Sequence, residues 1–135
     1  LAPGLPEFLD ALREREIPRN IATASALPNV RFFFEHLPLA RWFDPDLVVY
    51  NDGSLPGKPA PDLYLAAAAR IGADIRACTV FEDATPGIEA ARRAGARRIV
   101  GVASMQTPQA LLGCGATHAV AGYSSAGDLL RLVLS

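Results

Sequence analysis

Apolar residues at Leu5, Phe8, Leu9 and Leu12 recur at i, i+3, i+4 and i+7, the spacing of one helix face, and Pro18 closes the segment. Asn20 to Ala24 reads as a short strand. Pro28 opens a second helix whose apolar face takes in Phe32, Phe33 and Leu37 before Pro38 stops it. The β-branched run Asp46 to Tyr50 predicts a buried strand that ends on the turn signal Asn51-Asp52-Gly53. Pro61 and Asp62 start an alanine-rich helix that runs to Ile71 and stops at Gly72. Cys78 to Phe81 is a third strand, and Thr85-Pro86 then supplies an N-cap with proline at the first helical position, closed by Gly95. Strands at Arg98–Val102 and Thr117–Ala121, a helix near Pro108 to Leu112 and a last helix from about Ser125 that carries Leu129, Leu130 and Val133 complete the pattern. This alternation predicts a single α/β domain, a doubly wound (Rossmann-like) parallel sheet with helices on both faces.

The chain has 135 residues, half of them hydrophobic and a fifth charged, which suits one globular domain and excludes disorder. With 13 basic and 14 acidic side chains the net charge is −1, and no basic stripe is present. That balance argues against nucleic acid or a membrane surface as the main partner, while a small anionic ligand needs only a local positive site. Cys78 and Cys114 lie far apart without metal-binding spacing, so the expected setting is the reducing cytoplasm. No apolar run approaches the roughly 18 residues of a transmembrane helix. The first residue is Leu1 and the turn Ala2-Pro3-Gly4 follows directly, which reads as the C-terminal part of a longer chain.

Open parallel sheets bind ligands at the carboxyl ends of their strands, and three such ends carry chemistry. After the first comes Thr23-Ala24-Ser25, where a hydroxyl and backbone N–H groups at a helix start suit a phosphate oxygen; an ordinary helix cap is the plain alternative. After the second, Gly57-Lys58-Pro59-Ala60-Pro61-Asp62 sets Lys58 between a flexible residue and rigid ones. Lys58 is the only lysine among 13 basic residues, which marks a position where a compact ammonium differs in effect from a planar guanidinium. After the third, Glu82 and Asp83 are adjacent carboxylates. Side chains alternate along extended chain, so one can ligate a metal directly while the other works through water, a set that suits Mg²⁺; acidic capping of the next helix is the plain alternative.

A hydroxyl, a lysine and a carboxylate pair in that chain order resemble motifs II, III and IV of the haloacid dehalogenase superfamily of phosphotransferring enzymes. Ile21-Ala-Thr-Ala-Ser25, Gly57-Lys-Pro-Ala-Pro-Asp-Leu-Tyr64 and Phe81-Glu-Asp-Ala-Thr-Pro-Gly-Ile-Glu-Ala-Ala91 are similar to the β-phosphoglucomutase-like phosphatases within it. The resemblance implies that Thr23 and Ala24 bind the transferring phosphoryl oxygens and that Lys58 offsets charge between that group and the catalytic carboxylate. It implies further that Asp83 ligates Mg²⁺ and that Glu82 acts through a bound water. The implied activity is hydrolysis of a small phosphorylated metabolite through an aspartyl phosphate. A phosphomutase, or an inactive phosphate- or metal-binding module, is the alternative.

Family members also carry DxDx(T/V) on an N-terminal strand, followed by a helical cap, and by resemblance this chain begins after both. Asp44-Pro45-Asp46 imitates the motif but precedes its strand, at the wrong edge of the sheet. The resemblance puts the missing strand between those ending at Thr23 and Glu82. Their edges are therefore expected to be completed by upstream residues, by a strand-complementing neighbouring chain, or by closing on each other. His36, His118 and Trp42 read as structural. The arginines at 92, 93, 97 and 98 read as charges that suit a helix end, with an anion-binding patch as the alternative.

Overall fold

The computed structural model describes residues 1–135. Its elements alternate: α1 (Leu5–Glu14), β1 (Ala22–Ala26), α2 (Leu27–His36), β2 (Val49–Asn51), α3 (Asp62–Arg70), β3 (Thr79–Glu82), α4 (Thr85–Ala94), β4 (Arg98–Val102), α5 (Pro108–Gly113), β5 (His118–Val120) and α6 (Ala126–Leu134). All strand pairs are parallel. The expected α/β class and helices on both faces are found, because successive side chains of β3 enter different cores. Val80 joins Ile88, Ala90, Ala91, Ile99 and Leu111 on the α4–α5 side. Phe81 packs against the cluster of Phe8, Leu9, Leu12, Leu129 and Leu130 built by α1 and α6. A third cluster, Val49, Leu63 and Ala67, seats α3 on β2.

The strands form two sheets, β1–β2 and β3–β4–β5. Of the three outcomes expected for the strands carrying Thr23 and Glu82, closing on each other is not found, since no ladder joins β1 to β3. What spans the two is a side chain: the Lys58 ammonium donates to the Ala22 carbonyl on β1 and to the Glu82 carboxylate at the end of β3. Helix α3 packs against β1, β2 and α4, and so belongs to both parts.

Several expected boundaries shift for local reasons. The first strand runs through Ala26 rather than stopping at Ala24, and its register with β2 slips between Ala22 and Ala26, so Thr23 and Ala24 lie inside the strand. Asp46 and Leu47 do not enter β2, because the Asp44 side chain and carbonyl accept from their N–H groups and hold them in a turn. On α2 the buried residue is Val30, while Phe32 and Phe33 are exposed, which corrects the apolar face read from the sequence. Thr85 is not the cap of α4; that position is Ala84, with no side-chain bond, and Thr85 is the first helical residue. Thr107 caps α5 through Ala110, and Gly95 closes α4 in the left-handed region at φ 85°. Thr117 lies outside β5, but its hydroxyl meets both the N–H and the carbonyl of Ile99 and extends the pairing by one residue.

No helix is long and apolar enough to cross a membrane. Trp42 is buried and donates to Asp10, the His36 ring lies tilted against that of Phe32, and the exposed His118 meets the Thr117 hydroxyl. The arginine cluster is committed to the fold. Arg97 and Arg98 donate to carbonyls of Ser135 and Leu132 at the end of α6, and Arg92 and Arg93 pair with Glu89.

Ile88 is fully buried in the α4–α5 core. Ile88→Ala is expected to lower unfolding free energy by about 2–5 kcal/mol in chemical denaturation, with an unchanged denaturant slope.

Candidate functional site

Lys58 and Glu82 form the centre of the site. Their charged atoms stand 2.9 Å apart with side-chain exposures of only 15% and 11%. Two charges withdrawn from water cost several kcal/mol each unless their hydrogen-bonding capacity is used, and here it is. Glu82 Oε2 accepts from Lys58 Nζ and from the Tyr64 hydroxyl at 2.5 Å. Glu82 Oε1 accepts from the backbone N–H groups of Asp83 and Ala84, both at 3.2 Å. Lys58 also donates to the Ala22 carbonyl at 3.4 Å, and its ammonium lies 4.8 Å from the centre of the Tyr64 ring. The Lys58–Pro59 peptide bond is cis.

The two carboxylates differ because they are consecutive in an extended chain. Glu82 follows Val80 onto the α3–α4 side, toward Tyr64 and Gly87. Asp83 is exposed and lines a cleft of about 490 Å³ together with Phe81, Val102, Ser104, Tyr123 and Ser124, at the carboxyl ends of β3, β4 and β5. Burial alone would raise the Glu82 carboxyl, but the Tyr64 hydroxyl, the Lys58 charge and the backbone donor at Ala84 outweigh it and hold it below the usual carboxylate range. Asp83 is shifted the other way, pushed up by desolvation and by the neighbouring Glu82 charge. Tyr64 is driven well above the usual phenol range, first by burial and then by Glu82, so its hydroxyl stays a proton donor. Tyr123, beside the same cleft, is raised by burial and by Asp83 and Glu82.

The Thr23 hydroxyl accepts from the Ser25 N–H at 3.1 Å, and it follows directly on Ala22, whose carbonyl Lys58 reaches. The structure thus brings Lys58 into contact with Glu82 and with the Ala22 carbonyl, and Asp83 and Thr23 are the residues that follow these two in the chain. Ala24 is exposed one position further along β1. Asp44 and Asp46 lie before β2, at the edge opposite these strand ends. Two participants escaped the reading of the sequence. Tyr64 stands on a helix face otherwise made of Leu63, Ala67 and Ala68, and the signal was that a buried tyrosine needs a partner for its hydroxyl. Gly87 lay in the family-like stretch Phe81–Ala91 without an assigned role; a Cβ there would stand 2.1 Å from the Glu82 carboxyl carbon.

For a metal, the donor chemistry is that of hard oxygen. No three carboxylate, histidine or cysteine side chains converge, so the protein offers the outward Asp83 with Glu82 behind it. That suits Mg²⁺, which keeps several waters and binds through one or two carboxylates plus phosphate oxygens. A cation there would also relieve the repulsion that raises Asp83.

The family model for haloacid dehalogenase-like hydrolases matches residues 1–95. The phosphorylated carbohydrates phosphatase of Thermotoga maritima is 34% identical over 119 residues, which cover 87% of this chain and 54% of that protein. Among solved structures, a family IA, variant 3 hydrolase of Entamoeba histolytica superposes with a TM-score of 0.91 at 37% identity, over all of this chain and 61% of its own. A candidate β-phosphoglucomutase of Thermotoga maritima gives a TM-score of 0.85 at 33% identity, over 97% of this chain and 60% of its own. The chain therefore spans about half the length of the curated relative it matches.

The opposite shifts of the two carboxylates predict opposite effects on stability. A depressed folded-state pKa stabilises above the unfolded value, and this is lost as pH falls through the folded one; a raised pKa makes the ionised form a cost at neutral pH. In metal-free buffer at pH 7, Glu82→Gln should lower the unfolding temperature and Asp83→Asn should raise it. Thermal scans from pH 7 downward should show the Asp83→Asn gain vanishing below the ordinary aspartate range.

Proposed function

Because this chain belongs to the haloacid dehalogenase-like hydrolases, we propose that it is the core portion of a cytoplasmic, Mg²⁺-dependent phosphatase that hydrolyses a small phosphorylated metabolite through an aspartyl phosphate. The observation that carries the proposal is the Lys58 ammonium, fixed between the Ala22 carbonyl at the start of β1 and Glu82 at the end of β3, whose chain neighbours are Thr23 and Asp83. The sugar-phosphate class is taken from the relative whose name specifies phosphorylated carbohydrates.

On this reading each residue has a task. Lys58 faces the transferring phosphoryl group and offsets the charge that builds between it and the attacking carboxylate, a task for a compact ammonium with three rotatable donors. Thr23 spends an oxygen lone pair on Ser25 and keeps its hydroxyl proton free to donate to a phosphoryl oxygen, with the Ala24 backbone beside it. Asp83 would hold Mg²⁺, and Glu82 stands behind it. Bound Mg²⁺ supplies charge neutralisation and orientation of phosphate oxygens. On this reading Asp44 and Asp46, which precede β2, are not the attacking carboxylate.

Two variants test the assignment in the complete protein, by phosphate release from sugar phosphates. Lys58→Arg should be impaired nearly as badly as Lys58→Ala, because the planar fork does not fit a position pinned on three sides. Near wild-type turnover in Lys58→Arg would reduce Lys58 to general positive charge. Asp83→Asn should abolish Mg²⁺-dependent turnover while leaving the fold intact, and an unchanged Mg²⁺ activation curve would remove the metal site.

A further inference from the structure

Tyr64 has no part in the chemistry proposed above, yet it contacts both members of the buried pair. Its hydroxyl donates to Glu82 Oε2, and its ring presents a face to the Lys58 ammonium 4.8 Å away. The ring is 8% exposed and packed in the cluster of Val80, Ile88 and Ala91, so it cannot turn aside without opening that core. From the other side the Glu82 carboxyl rests on the first turn of α4, where the missing Cβ of Gly87 leaves the only room for it; an added Cβ would lie 2.1 Å from Cδ and Oε2. With two donors on each oxygen, Glu82 has one orientation. A lysine carries a flexible four-carbon stem, and its ammonium points one way only if its surroundings impose it.

We propose that Tyr64, with Gly87, is a positioning residue that acts through Glu82 to aim the Lys58 ammonium at the reacting phosphoryl group. The tyrosine fixes the carboxylate by a hydrogen bond and the ammonium by its ring face, and the glycine admits the carboxylate to the place where both contacts form. The inference rests on the reading of Lys58 as the phosphoryl-facing charge.

Lys58 is the sole lysine of these 135 residues, so its reactivity can be followed by itself. The test is reductive methylation of the complete, unliganded protein, with the Lys58 peptide quantified by mass spectrometry in wild type, Tyr64→Phe, Tyr64→Leu and Gly87→Ala. Tyr64→Phe keeps the ring and loses the hydroxyl, and Lys58 should be methylated faster than in wild type. Tyr64→Leu loses both contacts and should be faster still, and Gly87→Ala should match or exceed Tyr64→Phe. With a sugar phosphate, Tyr64→Phe should lower kcat by about tenfold with little change in KM, as loss of a group that orients a reacting side chain does. If Tyr64→Leu or Gly87→Ala fails to fold, the isosteric Tyr64→Phe decides. A Lys58 methylation rate equal to wild type in a cooperatively folding Tyr64→Phe protein overturns the proposal, and so does an unchanged kcat. The methylation readout needs no substrate. A wild-type protein without turnover would therefore refute the phosphatase reading, while the Lys58 rates still judge Tyr64.

Discussion

A lysine ammonium and a glutamate carboxylate, both nearly withdrawn from water, meet at 2.9 Å where the Ala22 carbonyl and the last residue of β3 come together. The two sheets share no ladder, and this polar contact joins helix α3, Ala22 and Trp42 in tying β1–β2 to β3–β4–β5. A buried pair of this kind is costly unless its remaining donors and acceptors are used. That constraint dictates much of the neighbourhood: a tyrosine on α3 that donates, two N–H groups at the start of α4 that donate, a strand carbonyl that accepts, and a glycine on α4 that yields space.

The same geometry divides labour between two adjacent acids. Strand alternation sends Glu82 inward, where its pKa is held low, and leaves Asp83 facing the cleft, where desolvation and the Glu82 charge push its pKa up. An exposed carboxylate beside a fixed ion pair, at the carboxyl edge of a parallel sheet, is where the proposed function would place a hard cation and a phosphate. On the proposed reading, these charges would serve positioning and electrostatic stabilisation of phosphoryl transfer rather than acid–base steps.

Much of this was legible in the sequence because the signals were local. Strand β4 matches its expected bounds, α4 and α5 begin and end within a residue or two of theirs, and the acids stand at the end of β3 as expected, whereas Thr23 lies inside β1 and Lys58 in the loop after β2. Where the reading failed, a non-local contact or a competing turn had intervened. Asp44 captures the N–H groups of Asp46 and Leu47, which delays β2. Val30 rather than Phe32 or Phe33 faces the sheet, since periodicity shows an apolar stripe but not which part of it meets a neighbour. Tyr64 and Gly87 lay within the family-like stretches but were given no role, because their part depends on where the Glu82 carboxylate points, which only the fold shows.

The central claim is that Lys58 and Glu82 act as one unit joining the two parts of the sheet, and a double-mutant cycle measures it most directly. Unfolding free energies would be compared for wild type, Lys58→Met, Glu82→Gln and the double variant. If the pair is a unit, each single variant strands a buried partner and costs about 3–5 kcal/mol, while the double variant costs far less than their sum. Additivity of the two single losses to within about 0.5 kcal/mol would show the charges to be independent and contradict the account.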